Sequence, residues 1–421
     1  MAGVSMTGLR AVAVLVLLFI FAGCGQTYRP VATPVAPNPP NPAFSHLALV
    51  ISGNGSSHPG ASTSIDVSGD TALSQSTLGL IPVHAALVLS GSRVYVANSG
   101  DDTVSMFPAS SPTPVTTISL PAGSKPSFVA TTESATVYVA NPGNNTVSAI
   151  SIPSNVVLSP LYGIQVGVDP VALAETPNQQ NLYVANRGAG GGGGSVTSIN
   201  PVDRSVNPPI GNATWISPVS VVARSDSNRV YVLDQGSGRV LAIDTASDTV
   251  VNSVSVGVGA NFMLYDPTRN RLYVSNPATN TVTYLDASSD ALSAVAIHVA
   301  NPVSVAALPD GSRAYVSSAS VSGGNVTSRV TVINASDGSV RTTIPVTTVG
   351  QICASSPSEL AIAAAADSSR VYVGNCDAGN IAIIQTLNDT LLLQMPAPQS
   401  ASFKTGGAPL PQNPVFVVAG P

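Results

Sequence analysis

The chain has 421 residues, of which only 9% are charged, against about 25% in an average soluble domain. Its net charge is −5, and its only lysines are Lys125 and Lys404, with no basic run anywhere. Nucleic-acid binding depends on a basic face that releases counterions from phosphates, so this composition argues against a nucleic-acid partner.

The first 23 residues have the order of an export signal. A short segment ends at Arg10, an apolar stretch runs from Ala11 to Phe21, and two small residues precede Cys24. The apolar stretch is too short to span a bilayer, which favours a signal peptide over a membrane helix. Small residues before a cysteine resemble the bacterial lipobox, which implies lipidation of Cys24 and an outer-membrane anchor facing the periplasm or the cell surface. Ordinary cleavage without lipidation is the alternative.

Residues 24–45 differ from the rest of the chain. This stretch is rich in proline and has no strand-like alternation. It predicts a semi-extended tether between the anchor and a folded domain at 46–421.

One repeated unit fills that domain. A strand-like phrase centred on a tyrosine returns seven times, with tyrosines 42 to 57 residues apart, a spacing typical of a repeated supersecondary unit. The alternation of β-branched and aromatic with small residues predicts a strand, here named strand B. The seven tyrosines are Tyr95, Tyr138, Tyr183, Tyr231, Tyr273, Tyr315 and Tyr372.

Three weaker strand patterns accompany each strand B. Strand C follows it, as in Thr103–Phe107, strand D follows a further turn, as in Thr249–Val254, and a proline opens the small-residue strand A, as in Pro302–Ala306. Four-stranded units of about 45 residues without helices predict an all-β fold, a single β-propeller with one blade per unit.

The strand B phrase, Val-Tyr-Val-Ala-Asn at 94–98 and 137–141, resembles the YVTN repeat of bacterial exported propellers, which are related to YncE-like and lactonase-type propellers. The resemblance implies seven blades, whereas the spacing in this chain favours eight, with seven as the alternative.

The two ends of the domain complement each other. Leu47–Ser52, Thr63–Val67 and Ala72–Leu80 form strand patterns B, C and D of a first blade that lacks strand A, and Pro414–Val418 forms a strand A with no strand B after it. The C-terminal strand is therefore expected to complete the first blade and close the ring, which removes free sheet edges.

Strand order also assigns the connections to two faces. A–B and C–D connections share one face, and their short segments, such as Asp226–Arg229, Asp310–Arg313 and Asp367–Arg370, predict turns with weak surface ion pairs rather than a site. B–C and D–A connections share the other face, which carries nearly all the length variation. Its long segments are 53–61, 187–194, 318–328, 348–357 and 397–412.

Three of those segments surround the last two blades, and this sector is the predicted partner surface. Length variation that accumulates where nothing selects against it is the alternative. On the same face, Cys353 precedes the last blade in the sequence and Cys376 follows its strand B, so an exported protein is expected to join them in a disulfide.

Catalytic chemistry has few candidates. The chain lacks a Cys-x-x-Cys-His haem site and has a single tryptophan, Trp215, which argues against quinone-dependent dehydrogenases with tryptophan docking motifs. His84, Glu175 and Glu359 lie on or near inner strands and could approach the channel, as a lactonase-type hydrolase would require. Structural roles are expected for them instead, so no catalytic, cofactor-binding or metal-binding residue is assigned.

The sequence thus predicts a non-enzymatic cell-envelope lipoprotein, a monomer with one folded domain. It is expected to bind an envelope protein or polysaccharide through its B–C/D–A face and to contact the membrane only through its lipid. A lactonase-like hydrolase acting at the mouth of the channel is the alternative function.

Overall fold

A computed structural model describes residues 47–88, 92–109, 115–131, 135–190, 193–210, 214–289, 292–350, 353, 360–397, 400–405, 408–410 and 413–419, with the backbone alone for 400–405 and 408–410. The predicted signal peptide (1–23), the tether (24–45), Cys24 and Glu359 lie outside the described residues.

The described residues form strands and turns, and no helix. The strands of the first half are β1 (Leu47–Gly53), β2 (Pro59–Asp66), β3 (Thr71–Leu80), β4 (Pro82–Leu87), β5 (Arg93–Asn98), β6 (Thr103–Pro108), β7 (Thr116–Ser119), β8 (Phe128–Thr131), β9 (Thr136–Asn141), β10 (Thr146–Ser151), β11 (Ile164–Gln165), β12 (Pro170–Glu175), β13 (Leu182–Asn186) and β14 (Ser195–Ile199). The strands of the second half are β15 (Pro218–Ala223), β16 (Arg229–Asp234), β17 (Arg239–Asp244), β18 (Thr249–Ser255), β19 (Phe262–Asp266), β20 (Arg271–Asn276), β21 (Thr281–Asp286), β22 (Ala294–His298), β23 (Pro302–Ala307), β24 (Arg313–Ser322), β25 (Asn325–Asn334), β26 (Val340–Gly350), β27 (Ile362–Ala364), β28 (Arg370–Asn375), β29 (Asn380–Gln385), β30 (Thr390–Pro396), β31 (Ser400–Thr405), β32 (Ala408–Leu410) and β33 (Asn413–Ala419).

These strands build an eight-bladed β-propeller, as the repeat spacing predicted, and the alternative of seven blades is wrong. Listed from strand A outwards, blade 1 is β33-β1-β2-β3, blade 2 is β4–β7, blade 3 is β8–β11, blade 4 is β12–β14, blade 5 is β15–β18, blade 6 is β19–β22, blade 7 is β23–β26 and blade 8 is β27–β30. Each strand A contacts the strand A of both neighbouring blades, from β33 through β4 and round to β27, which contacts β33 again. The innermost strands therefore form a closed ring around a central channel.

Blade 1 closes as the ends of the sequence predicted. β33 pairs antiparallel with β1, placing Val418 opposite Leu49 and Val417 opposite Val50. β1 begins and β33 ends on the face that carries the A–B and C–D connections, here named the turn face. The opposite face, with the B–C and D–A connections, is named the loop face.

Blade 4 departs from the four-stranded pattern. Its third strand, β14, is followed by a single bridge between Ile199 and Val206 instead of a strand D. The amide of Asn207 still donates to the carbonyl of Ser198 at 2.8 Å. The next residues are Pro208 and Pro209, which have no N–H to donate, so the ladder stops there.

The hydrophobic core lies between the blades. Among the described residues, each apolar cluster joins two neighbouring blades, and such clusters occupy all eight interfaces around the ring. The seven motif tyrosines are at most 1% exposed within these interfaces. Complete burial of a large apolar side chain contributes about 1.5–3 kcal/mol, which accounts for the repetition of the motif.

Several motif tyrosines also bind the next blade through their hydroxyl groups. Tyr95 donates to Asn155 Oδ1 at 2.9 Å and Tyr183 donates to Asp248 Oδ1 at 2.5 Å. Both acceptors end the C–D turn of the following blade and have positive φ, a conformation that Asn and Asp tolerate better than other side chains. One residue thus shapes the turn and accepts the bond between blades.

Candidate functional sites on the loop face and in the channel

The largest elaboration of the loop face is a hairpin of blade 7. The segment 318–328 was expected to be a loop, but β24 continues to Ser322 and β25 begins at Asn325, with their ladder unbroken to the tip. That prediction was wrong because the residues alternate in character and the tip is Gly323-Gly324, both with positive φ. Two such glycines fit the tight turn preferred by two-residue hairpins.

The outer strand of the same blade is extended with the hairpin. β26 pairs with β25 as far as Gly350 opposite Asn325, so three strands project together from the loop face. One side of this extension carries small polar side chains, and Thr327 and Thr348 share a hydrogen bond of 3.1 Å across it. Arg329 is exposed on β25 close by. The projecting sheet therefore presents hydroxyl groups and one cation to solvent.

The neighbouring blade 8 carries the disulfide that the sequence predicted. Cys353 and Cys376 are joined, with their Cα atoms 6.1 Å apart. Both cysteines are buried, and the amide of Cys353 donates to Asp377 Oδ1 at 2.8 Å. These bonds fix one point of the D–A connection that enters blade 8, directly after the extended β26.

The next D–A connection contains a second elaboration. β31 and β32 form a two-stranded sheet of their own between the end of blade 8 and β33. By contrast, the B–C connection of blade 1 is shorter than the predicted 53–61, because β2 already begins at Pro59. In blade 4, the B–C connection between Asn186 and Ser195 matches the predicted 187–194. The elaborations with defined structure thus occupy adjacent positions at blades 7, 8 and 1.

The turn face is built from short turns whose ion pairs differ from those expected. Asp310 and Asp367 accept backbone amides within their own turns. The arginines that follow them reach further: Arg313 binds Asp389, and Arg370 binds Asp70, each in the C–D turn of the next blade. The expected pairing within one turn was wrong for these blades, because a long arginine side chain can cross the interface to a buried carboxylate.

Arg229 pairs with Asp244 of its own blade, and Asp226 pairs instead with Arg224. The Arg224 guanidinium lowers the pKa of Asp226 to about 2. The sequence signal for the contacts between blades is an Asp or Asn at the end of the C–D turn, which repeats at 70, 155, 248 and 389.

The channel wall contains His84 in an aromatic stack. Its ring lies 3.9 Å from that of Phe128 and 4.4 Å from that of Phe416, so strands A of blades 1, 2 and 3 meet there. His84 Nδ1 accepts the amide of Val129 at 3.3 Å. Burial lowers the pKa of His84 to about 3, which leaves the imidazole neutral.

The other hydrolase candidates do not join it. Glu175 is the last residue of β12, at the turn-face end of blade 4, while His84 lies near the loop-face end of blade 2. Glu175 is 4% exposed. Burial of Tyr138 and the nearby charge of Glu175 together raise the pKa of Tyr138 to about 12. Across the described residues, no three His, Cys, Asp or Glu side chains are grouped so that they could hold a metal ion. Nor does that part of the chain contain a helix long and apolar enough to cross a membrane.

Solved structures share this fold at low sequence identity. The dihydro-heme d1 dehydrogenase NirN is similar with a TM-score of 0.63 and 12% identity over 87% of this chain and 76% of that one. AztD from Citrobacter koseri gives 0.57 and 13% over 89% and 98%, and the hydrazine synthase of Kuenenia stuttgartiensis gives 0.55 and 20% over 73% and 96%.

The functions of these proteins differ, so the similarities establish the propeller fold alone. No family model matches the sequence. No curated protein matches it either.

Proposed function

We propose that this protein is a non-enzymatic binding scaffold of the cell envelope, related to the YVTN-repeat propellers, which holds an envelope protein or polysaccharide on its loop face. The observation that carries the proposal is the position of the elaborations. The extended hairpin of β24 and β25, the disulfide-fixed connection and the β31–β32 sheet all lie on one face at successive blades. Insertions gathered on one face of a repeat protein are typical of a binding surface.

The chemistry of that sector suits a partner rich in hydrogen-bonding groups. Ser320, Thr327 and Thr348 lie side by side in the register of the projecting sheet, and Arg329 adds a cation. Hydroxyl groups can donate and accept hydrogen bonds. A strand framework holds them in place, so little conformational entropy is lost when a polar surface docks.

The test is crosslinking of the full-length protein in its native envelope. In one variant, an Asn-Gly turn replaces Ser320 to Thr327, which shortens the hairpin and leaves the blade intact. The control is Leu387→Ser, because Leu387 is 82% exposed on the turn face. Loss of the crosslinked partner in the shortened variant alone supports the proposal, and an unchanged partner in both variants contradicts it.

The anchor has a separate test. Cys24→Ser is expected to release the mature protein from the membrane fraction while the partner still binds in solution. Continued membrane association of this variant would contradict anchoring through Cys24.

A further inference from the structure

The half of the channel bounded by blades 6, 7, 8 and 1 contains two adjacent cavities. The upper cavity, towards the loop face, has a volume of about 390 Å³, and Phe262, Val303 and Phe416 are in its wall. The lower cavity, towards the turn face, has a volume of about 340 Å³. Leu264, Val305 and Ile362 line both, so the two cavities are adjacent along strands A.

The walls of the upper cavity are almost entirely apolar. Its lining includes no charged side chain, and its polar side chains are Asn261 and Ser304. Ser304 is already engaged, since its hydroxyl donates to the carbonyl of Leu360 at 2.9 Å. A charged ligand would lose its hydration there without compensation, whereas an apolar molecule would gain from leaving water. The volume lies within the range of small-molecule sites.

The lower cavity adds the polar side chains of Tyr265, Asp266 and Thr268. The hydroxyl groups of Tyr265 and Thr268 are engaged, since they donate to Asn270 Oδ1 and to the carbonyl of Pro309. Asp266 lies in its wall and is 3% exposed. Its Oδ1 accepts the amides of Thr268 and Arg269, but Oδ2 is buried without a hydrogen-bond partner among the described residues. A buried carboxylate oxygen without a donor is costly, and a donor that reaches it is correspondingly favoured. Burial also raises the pKa of this carboxyl group.

We propose that these two cavities form one binding site for a small, uncharged, mainly apolar molecule that bears a hydroxyl or N–H group. The apolar body occupies the upper cavity against Phe262 and Phe416, and the donor reaches Asp266 after a small rotation of its side chain. This site differs from the scaffold surface on the loop face, because it lies among strands A and includes only Leu360 and Ala361, the last two residues before β27, from the elaborated connections.

The test uses two neutral fluorescent probes that differ in one donor. 2-Naphthol has a hydroxyl group, and 2-methoxynaphthalene has the same ring system without it. Both are expected to bind the full chain saturably at one site, with 2-naphthol about tenfold tighter because its hydroxyl bonds to a carboxylate. Asp266→Asn keeps an oxygen for the two backbone amides but turns an N–H₂ group towards the ligand, so this preference should disappear.

Blocking variants test the location. Leu264→Trp and Ile362→Trp enlarge two residues that line both cavities, one from blade 6 and one from blade 8, and each is expected to weaken the binding of both probes at least tenfold. Val202→Trp is the matched control, because Val202 is 82% exposed at the outer rim of blade 4. Thermal unfolding identifies which blocking variant keeps the native fold, and one such variant suffices. Wild-type affinity in a folded blocking variant, absence of saturable binding by the wild-type protein, or equal binding of the two probes would overturn the proposal.

Discussion

The hydroxyl of Tyr315 in blade 7 donates a hydrogen bond to the carboxylate of Asp389 in blade 8. Arg313 binds the same oxygen at 2.5 Å, and Arg341 binds the other at 2.6 Å. The Asp389 side chain is only 2% exposed. The Asp389 carboxylate thus accepts hydrogen bonds from three side chains of the neighbouring blade and joins the two sheets at the turn face.

Removing the tyrosine hydroxyl should weaken that interface. Tyr315→Phe keeps the buried ring and loses one bond to a charged acceptor, so the free energy of unfolding should fall by about 1.5–3 kcal/mol. Urea unfolding followed by circular dichroism measures the change. Tyr162→Phe is the control, because Tyr162 is 84% exposed, and its stability should not change. Equal effects of the two substitutions would contradict a contribution from this bond.

Changing the acceptor should cost more than changing the donor. Asp389→Asn leaves the Arg313 side chain, 15% exposed, without its counter-charge, and we expect a loss of about 2–4 kcal/mol. Arg341 is 51% exposed and can turn to water, so it adds little. The control is Asp226→Asn, whose surface pair with Arg224 should account for less than about 1 kcal/mol. A double-mutant cycle with Arg313→Ala should then show coupling, and strictly additive effects would argue against the pair.

The neutral state of His84 should make stability depend on pH. Its pKa is about 3 in the folded protein and about 6.5 in an unfolded chain, so the unfolded state binds more protons between these values. The stabilisation is complete above pH 6.5 and is lost as the pH falls towards 3, by at most about 1.4 kcal/mol per pH unit.

His84→Gln retains an acceptor for the amide of Val129 and cannot be protonated in this range. Its unfolding free energy should therefore fall less steeply between pH 6 and pH 4 than that of the wild-type protein. His298→Gln is the control, because His298 is exposed on the outer strand β22, and it should keep the wild-type slope. Parallel curves for the wild-type and His84→Gln proteins would show that His84 does not carry the effect.

The disulfide should stabilise the loop face measurably. Its cysteines are 23 residues apart, and closing a loop of that length contributes about 3 kcal/mol by restricting the unfolded chain. The Cys353→Ser/Cys376→Ser double variant should unfold at a correspondingly lower urea concentration. A reductant should lower the stability of the wild-type protein to that of the variant, which it should leave unchanged. A variant as stable as the oxidised wild-type protein would contradict this contribution.

The sequence was most informative about features that every blade needs, such as a strand that is buried on both sides. Strand B is buried on both sides in every blade, and in blades 2 to 8 the same tyrosine motif recurs, so the repeat could be recognised at once. The closure of blade 1 followed because a strand A and an isolated B-C-D set lie at opposite ends of the domain. The disulfide followed from two cysteines assigned to one face of one blade, and Cys353 and Cys376 are indeed joined.

Other features depend on local or distant geometry that the pattern did not reveal. The projecting hairpin was missed because Gly323-Gly324 was taken as part of a loop rather than as a turn between alternating segments. The role of Asp389 depends on its approach to the next blade. The channel cavities arise where side chains from strands far apart in the sequence, such as Leu264 and Phe416, face one space. Contacts between such distant side chains are determined by the closure of the ring and not by a local periodicity of the sequence.

The pairing of β33 with β1 also sets an order of events during synthesis. The N-terminal strands of blade 1 emerge early, but their inner partner emerges only after blades 2 to 8 have been made. Until then, β1 has an unpaired edge, and the interfaces that β33 shares with β4 and β27 cannot form. The growing chain is thus an open arc with two incomplete ends. The ring becomes a single cooperative unit only after β33 has been synthesised and has paired with β1.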